Sequence, residues 1–318
     1  MNLNKHSSIL GIDIGGTNIR FGIFEYKHKF KLVHQIQFEL ESREPEKVCD
    51  CIQNIYYEIS QIYKVDAIGI GVAGMVSKSD MIVINAPNLQ WNNFPFRDIL
   101  SKRIKVPLVI MNDLNAITWG EFNYGRGKNV DSMLCIFIGT GVGSGLVIDK
   151  KLVIGAHGFA GEIGHIKVNE KDNYIVCGCE KTGCLETYIG GKHLTTRLRN
   201  LVQNEKLSLS FLNIDNLENL HPGIADRVFA QGNKTLDQLW YTNGKIFGQT
   251  LANCSTLLNP HQIIIGGTVW EGTPNFRKLS LQSYEIHLNE TTRTEIVSPL
   301  LKNEAGLYGA ACKAALLL

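Results

Sequence analysis

The length, composition and charge of this chain indicate a globular protein with room for two domains. Its 318 residues can bury two cores of ordinary size, and 44% hydrophobic with 19% charged residues excludes a disordered chain. A net charge of +2 provides no broad basic field, so we expect no nucleic acid as a partner. Residues 1–8 lack the apolar core of a signal peptide, and no apolar run reaches the roughly 18 residues of a membrane span. We therefore expect a cytoplasmic protein without a membrane partner.

Residues 1–120 predict a meander of strands followed by alternating helices and strands. Apolar residues at every second position predict strands, and apolar residues three and four apart predict helices. On this basis we expect strands at 9–14, 19–24, 32–38, 67–72 and 108–111, and helices at 46–63, 96–104 and 116–123.

The same pattern restarts after residue 120. A strand at 133–138, a glycine-rich turn at 139–145 and a strand at 146–148 repeat the layout of the first two strands, which are joined through Gly15-Gly16-Thr17. The remaining predicted elements are helices at 192–203, 236–258 and 305–318, and a strand at 262–265 followed by Gly266-Gly267-Thr268. The recurrence predicts two similar halves. Because no linker rich in Pro, Gly and Ser separates them, we expect the halves to pack closely around a cleft.

Two glycine-rich loops are candidate phosphate-binding loops. In the second, at 139–145, every other residue is glycine and β-forming residues follow, whereas a Rossmann fingerprint is followed by a helix. No Walker A loop occurs either. Glycine hairpins still let backbone N–H groups approach phosphate oxygens, and Thr17 and Thr140 would each add a hydroxyl donor. The alternative is a pair of tight hairpins without a ligand.

The carboxylate of Asp13 lies on the strand just before the first loop. A buried, unpaired carboxylate is costly, but this one is well placed to hold the water shell of a magnesium ion that bridges phosphates. The alternative role is a structural hydrogen bond to the turn.

Polar residues after apolar strands form a candidate catalytic and sugar-binding set. Asn112-Asp113 directly follows the strand at 108–111, where catalytic groups commonly lie, although Asn-Asp is equally an ordinary turn dipeptide. Asn88, three residues before Trp91, is interpreted as a buried amide, with a plain loop as the alternative. The donors and acceptors that together suit a polyhydroxylated ligand are Asn88, Asn112, Asp113, Glu162, His165 and Glu186.

Three cysteines and one histidine have the spacing of a structural zinc site. Cys177, Cys179 and Cys184 follow His165 by about a dozen residues, and four Cys/His ligands leave no open position for a catalytic water. The alternatives are a disulfide, which the close spacing and the odd number disfavour, and buried apolar thiols. The remaining cysteines lie in apolar or helical contexts and are predicted to be core residues: Cys49, Cys51, Cys135, Cys254 and Cys312.

These motifs together resemble the ROK family of sugar kinases and repressors, within the actin/hexokinase/heat-shock chaperone superfamily. The glycine loops alone would be weak signals, whereas the histidine and cysteine segment is close to diagnostic. The matching segments span nearly the whole chain: Asp13-Ile-Gly-Gly-Thr17, Pro87-Asn88-Leu89, Asn112-Asp113, Gly139-Thr-Gly-Val-Gly143, Gly161-Glu-Ile-Gly-His165, Cys177 to Glu186 and Ile265-Gly-Gly267.

The resemblance implies an α/β fold of two ribonuclease-H-like domains that close over ATP and a hexose. The domains would comprise residues 1–120, completed by a helix at 305–318, and residues 121–304. Asp113 would be the general base on the 6-hydroxyl, and Asn112 would orient that hydroxyl or a neighbour. The remaining sugar hydroxyls would be held by Glu162, His165, Glu186 and Asn88. ATP would be bound by Asp13 (through magnesium), Gly15, Gly16, Thr17, Asn18, Gly139, Thr140, Gly141, Gly143, Gly266 and Gly267, and zinc by His165, Cys177, Cys179 and Cys184.

Two residues depart from the family pattern, and the hexose itself stays open. Glu180 replaces a glycine after the second cysteine, and Thr268 stands where a third glycine often occurs. Family repressors carry a winged-helix module before the first glycine strand, and only about eight residues precede that strand here. We therefore expect a kinase that phosphorylates D-glucose and forms a homodimer or homotetramer. The alternatives are D-allose or an N-acetylhexosamine as substrate, a non-catalytic sugar sensor, and an actin-like filament subunit.

Overall fold

The computed structural model describes residues 7–26, 30–169 and 175–318, and within them the chain alternates strands and helices. The strands are β1 Ser7–Ile14, β2 Asn18–Tyr26, β3 Phe30–Glu39, β4 Val65–Val72, β5 Met75–Val76, β6 Val83–Ala86, β7 Trp91–Phe94, β8 Leu108–Asn112, β9 Met133–Ile138, β10 Val142–Ile148, β11 Lys151–Val153, β12 Gln262–Gly266 and β13 Glu295–Val297. The helices are α1 Pro45–Ser60, α2 Phe96–Arg103, α3 Asp113–Tyr124, α4 Glu186–Ile189, α5 Gly191–Gln203, α6 Leu209–Leu212, α7 Pro222–Arg227, α8 Lys234–Leu258, α9 Thr268–Gly272, α10 Pro274–His287 and α11 Ala305–Ala314.

The chain divides into two compact units. The first comprises residues 1–134, 145–161 and 299–318, and the second comprises residues 135–144 and 162–298. The domain boundary near residue 120 remains a proposal. Among the described residues, none of the helices combines the length and apolar character needed to cross a membrane.

The first five-stranded sheet brings the ends of three parallel strands to one edge. Its order is β3-β2-β1-β4-β8, in which β1 pairs antiparallel with β2 and parallel with β4, and β4 pairs parallel with β8. Asp13 therefore lies beside Gly71, and Val72 beside Asn112. Because the carboxyl ends of β1, β4 and β8 share this edge, it brings Asp13 of β1 close to Asn112 of β8 and to Asp113 after it.

Successive side chains of β1 enter two different apolar clusters, as the period-two alternation of a strand requires. Leu10 packs in a cluster with Val48 of α1, whereas Ile9 packs in a cluster with Leu307 of α11. All four side chains are 0–1% exposed. This explains why Ile9 and Leu10, which point to opposite faces of the sheet, are both apolar.

Helix α11 approaches the first sheet very closely at Gly69. It contacts α3, β1 and β4, and a Cβ on Gly69 would lie only 1.9 Å from the carbonyl oxygen of Ala310. Only glycine therefore allows β4 and α11 to approach this closely. The predicted helix at 305–318 is thus present, but it ends at Ala314 and continues as a 3-10 turn over Ala315–Leu317.

Two predicted boundaries are wrong for identifiable reasons. The helix expected at 116–123 begins at Asp113, because the Asn112 side chain caps it by accepting from the backbone N–H of Asn115 at 3.1 Å. The turn expected at 139–145 is shorter, because β10 begins at Val142. Gly143 and Gly145 therefore lie in a strand.

The second five-stranded sheet has the order β11-β10-β9-β12-β13, and a three-stranded sheet is formed by β5-β6-β7. The long helix α8 packs against α10, a helix that the sequence analysis did not anticipate. Buried Asp226 joins the two helices: its carboxylate accepts from Trp240 Nε1 at 2.7 Å and from the backbone N–H of Phe276 at 2.9 Å. This network fixes the helical layer of the second unit.

Candidate functional site

The predicted metal ligands lie together in the second unit. One ligand atom from each of His165, Cys177, Cys179 and Cys184 falls within 4.8 Å of the others. The Cys177 sulfur is 3.4 Å from His165 Nδ1, and the sulfurs of Cys179 and Cys184 are 3.6 Å apart. All eight cysteines are free thiols, which excludes the disulfide alternative.

These distances fit one tetrahedral ion. With Zn–S bonds of about 2.3 Å, neighbouring sulfurs of a tetrahedron lie about 3.8 Å apart, close to the separation of Cys179 and Cys184. Three soft sulfurs and one imidazole nitrogen are also the donor set typical of structural zinc. The four ligands would complete the coordination sphere, so the ion would fix the loop without activating water.

Short backbone pairings hold the ligands in place. Lys167 forms an isolated antiparallel bridge with Cys184, and Val176 forms another with Thr182. The chain then turns tightly, since the N–H of Glu180 donates to the Cys177 carbonyl at 2.9 Å. Glu180 has a φ of 63°, a left-handed conformation that costs a non-glycine residue about 1–2 kcal/mol. The departure at residue 180 therefore introduces strain without removing a ligand.

The thiols of this cluster have different electrostatic environments. Burial raises the pKa of Cys177 to about 12. Burial also disfavours the Cys179 thiolate, but hydrogen bonds from the Lys181 backbone and from Cys184 outweigh it and lower the pKa. A hydrogen bond to Cys184 raises the pKa of Lys167. The surroundings therefore favour the thiolate of Cys179 and disfavour that of Cys177.

Glu186 connects the cysteine cluster to the second glycine loop. One carboxylate oxygen, Oε2, accepts from the backbone N–H of Val142 at 2.9 Å. A Cβ on Gly141 would lie 2.4 Å from that oxygen, so a larger residue at 141 would displace the carboxylate. The other oxygen, Oε1, lies 3.8 Å from the Cys177 sulfur and 3.9 Å from His193 Nε2. The sequence analysis missed His193, whose pKa is lowered chiefly by burial.

Glu162 lies beside the same cluster. Its Oε2 is 3.9 Å from Nε2 of His165, and its side chain is 42% exposed. Partial burial raises the pKa of Glu162, with a smaller raising effect from Glu186 and an opposing effect from His165. The second unit therefore presents two carboxylates and an imidazole that can bond hydroxyl groups.

Asn112 and Asp113 form a hydrogen-bonded pair at the edge of the first sheet. Asn112 Nδ2 donates to Asp113 Oδ1 and to the Gly74 carbonyl, each at 3.0 Å. Asp113 Oδ1 also accepts from the backbone N–H of Leu114 at 2.9 Å. The asparagine thus orients the carboxylate, a role that its position at the helix cap makes rigid.

Asp13 lies near this pair. A Cβ on Gly71 would be 3.8 Å from Asp13 Oδ1 and 3.7 Å from the Cα of Asp113, so the two acidic residues flank one glycine. Burial raises the pKa of Asp13, and Arg20 opposes this through an ion pair at 3.0 Å. The sequence analysis missed Arg20, although the register of the β1–β2 hairpin places it directly opposite Asp13.

The interpretation of Asn88 as a buried amide is wrong. Asn88 is exposed in the turn between β6 and β7, because the apolar contacts of this segment are made by Leu89 and Trp91. It nevertheless lies against the first glycine loop, since a Cβ on Gly16 would be 2.9 Å from its Cβ. Its side chain is therefore available to a ligand beside that loop.

A cavity of about 910 Å³ opens beside the second glycine loop. Its lining includes the loop residues Gly139 and Thr140. It also includes Thr268, the residue that stands where the family often has a third glycine. Two loop carbonyls are fixed by the start of α5, where the N–H groups of Gly191 and Lys192 donate to Gly139 and Thr140 at 2.8 and 2.9 Å. The cationic groups that line the cavity are Lys192, Arg199 and Arg227, joined by His221.

The fold is that of a hexokinase-type protein, and the chain belongs to the ROK family, whose model matches residues 9–315. It is 31% identical to the glucokinase of Streptomyces coelicolor over 95% of this chain and 96% of that protein. It is 30% identical to the xylose repressor of Caldicellulosiruptor bescii over 84% of this chain and 67% of that protein. A Streptomyces griseus ROK family glucokinase, crystallised with glucose and AMPPNP, is 28% identical, with a TM-score of 0.78 over 98% of this chain and 100% of that one. The predicted α/β class and hexokinase-type fold are confirmed.

Proposed function

We propose that this protein is an ATP-dependent hexose kinase that phosphorylates the 6-hydroxyl of D-glucose. The observation that carries the proposal is the Asn112–Asp113 pair, which holds an oriented carboxylate at the carboxyl edge of the first sheet. The match to glucokinases over nearly their whole length supports the same reaction. The cytoplasmic location and the homodimer or homotetramer expected from the sequence belong to this proposal.

Asp113 acts as the general base. It accepts the proton of the 6-hydroxyl as that oxygen bonds to the γ-phosphorus and the bond from this phosphorus to the bridging oxygen of ADP breaks, a contribution of roughly 10²–10⁴-fold in rate. Because Oδ1 is tied to Asn112 and Leu114, the carboxylate cannot rotate freely, and little entropy is lost when the sugar arrives. Asn112 acts on the reaction through this orientation.

The nucleotide is bound by the glycine loops and the neighbouring cavity. Backbone N–H groups of residues 15–18 and 139–141 approach the phosphates, and the cationic groups that line the cavity add positive charge. Gly143, Gly266 and Gly267 complete the proposed nucleotide-binding set, and a Cβ on Gly267 would lie only 2.5 Å from the carbonyl oxygen of Ile138. Asp13 is the residue that would hold a magnesium ion through water. Its present partner is Arg20, and this ion pair would be replaced when the ion binds.

The sugar is held by Asn88, Glu162, His165 and Glu186. Carboxylates accept hydrogen bonds from hydroxyls, and a site built for a hydroxyl strongly rejects an analogue that lacks it. The four ligands His165, Cys177, Cys179 and Cys184 would bind a structural zinc ion, which supplies a rigid anchor for the loop that carries Glu186.

A coupled assay of ADP release with a panel of sugars tests the proposal. We expect the highest kcat/KM for D-glucose, with 2-deoxyglucose and fructose clearly poorer. A higher value for D-allose or for an N-acetylhexosamine would overturn the assignment of glucose as the substrate, whereas the proposal of a sugar kinase would stand. Sugar binding without ADP release from any sugar would contradict the kinase and favour the sugar-sensing alternative.

A further inference from the structure

An ammonium group contacts the metal-ligand cluster directly. Nζ of Lys167 lies 2.9 Å from the sulfur of Cys184 and 2.8 Å from the carbonyl oxygen of Thr182. Both distances are those of direct hydrogen bonds, and the ammonium is the donor in each. Lys167 therefore contacts a proposed metal ligand without being a ligand itself.

The backbone explains why this lysine reaches that sulfur. Residues 166–168 run antiparallel to residues 183–185: the N–H of Val168 donates to the Gly183 carbonyl at 2.9 Å, and the N–H of Leu185 donates to the Ile166 carbonyl at 3.0 Å. Lys167 and Cys184 are directly opposite each other in this bridge. Opposed residues of an antiparallel pair present their side chains on the same face, so the contact is built into the loop.

The contact between Lys167 and Cys184 compensates negative charge in the metal-ligand cluster. A divalent ion with three thiolates and a neutral imidazole carries one net negative charge. The sulfur of Cys184 belongs to a residue that is 0% exposed, so solvent does little to stabilise charge there. The neighbouring carboxylates of Glu162 and Glu186 add further negative charge and cannot compensate that of the cluster. The ammonium of Lys167 supplies the compensating positive charge.

We propose that Lys167 is a positioning residue of the metal centre, which holds the Cys184 thiolate by a charged hydrogen bond and thereby strengthens zinc binding. The inference rests on the zinc ion proposed above and on no assumption about the sugar. Outer-shell partners of metal ligands typically contribute 10- to 100-fold to metal affinity. Loss of the ammonium leaves the buried sulfur without its charged hydrogen-bond donor, which weakens the hold of the cluster on the ion.

The test compares Lys167→Met, Lys167→Arg and the matched control Lys181→Met in the full chain. Lys181 is a second lysine of the same loop and lies next to the turn. Zinc transfer to a chromophoric chelator is followed at fixed pH, and circular dichroism checks the fold of each variant. We expect Lys167→Met to lose zinc at about tenfold lower chelator concentration, and the other two variants to resemble the wild type.

Cobalt substitution provides a readout that a purely structural role would not change. A hydrogen bond to a thiolate lowers the energy of the sulfur lone pair, so its removal moves the sulfur-to-cobalt charge-transfer band to longer wavelength. We expect this shift in Lys167→Met and not in Lys181→Met. Wild-type zinc retention and an unshifted band in Lys167→Met would overturn the inference. Wild-type protein without zinc would instead overturn the metal centre itself, so the two failures are distinguishable.

Discussion

Asp113 and Glu186 are both carboxylates at the first residue of a helix, but their positions are fixed in different ways. Asp113 follows strand β8 and opens α3, a helix of 12 residues whose cap is the Asn112 side chain. Glu186 opens α4, a helix of four residues without a side-chain cap, and follows a loop held by isolated bridges and by the cysteine cluster. Regular backbone hydrogen bonds therefore fix the first carboxylate. The second is held by the backbone N–H of Val142 and by a loop whose four ligand side chains the proposed zinc ion would join.

The largest expected effect comes from removing the charge of the first carboxylate. Asp113→Asn is expected to lower kcat by roughly 10²–10⁴-fold while the fold and the sugar affinity stay close to wild type, because only the base is lost. Steady-state kinetics and calorimetric sugar binding measure this. Asp98→Asn, which changes another carboxylate in the first turn of a helix, is the control. Wild-type turnover in Asp113→Asn would show that Asp113 is not the base.

The next effect tests whether the second carboxylate depends on the metal. The purified chain is expected to hold about one zinc ion, and Cys179→Ser is expected to lower the metal content and raise the sugar KM, since the loop before Glu186 loosens. Metal analysis and kinetics measure both quantities. Cys254→Ser, which changes a thiol of helix α8, is the control. Zinc-free wild-type protein prepared without a chelator would contradict this prediction.

A smaller effect is expected from the cap of α3. Asn112→Ala removes the acceptor for the Asn115 N–H and the donor to Asp113, so stability should fall by about 1 kcal/mol and kcat should fall with it. Asn112→Asp should recover the cap but not the donor. Urea unfolding combined with kinetics separates the two roles. Equal kcat in both variants and the wild type would mean that Asn112 orients nothing.

The smallest effect concerns Asp13 and its dependence on pH. A raised carboxyl pKa means that the folded state binds the proton more tightly than the unfolded state, so stability falls as pH rises above the ordinary value of 3.8. Asp13→Asn removes this cost and should slightly raise Tm at pH 7, with the gain shrinking as the pH approaches 3.8. Thermal unfolding across this range measures it. A lower Tm at pH 7 would show that the ion pair with Arg20 outweighs burial.

The sequence predicted those features that local patterns determine. The strands at 9–14 and 19–24 follow from alternation, and they lie within β1 and β2 as observed. The structure also brings His165 together with the three cysteines, because the spacing of these residues in a short loop constrains their three-dimensional arrangement. The role of each residue toward sugar, nucleotide and metal remains a prediction.

Contacts between distant segments could not be predicted in the same way. His193 approaches Glu186 only because α5 packs back on the glycine loop, and Lys167 meets Cys184 through a two-residue bridge without strand-like periodicity. Asn88 was misjudged because the adjacent Leu89 and Trp91 make the segment apolar, while its own side chain is exposed. The pairing of Arg20 with Asp13 could have been predicted from the sequence, since the position of the turn fixes which residues face each other in a two-stranded hairpin.

The close packing of α11 on Gly69 has a consequence for biosynthesis. Strands β1, β4 and β8 are complete once residue 112 has left the ribosome, whereas the helix that covers one face of their sheet follows nearly two hundred residues later. At about 5–20 residues per second, that face waits on the order of 10–40 s for its cover. During this interval Ile9, Ala67 and Val109 lack the apolar partners that α11 provides. The first unit can therefore complete its folding only after the second unit has been synthesised, and until then it exposes an apolar face of the kind that promotes aggregation.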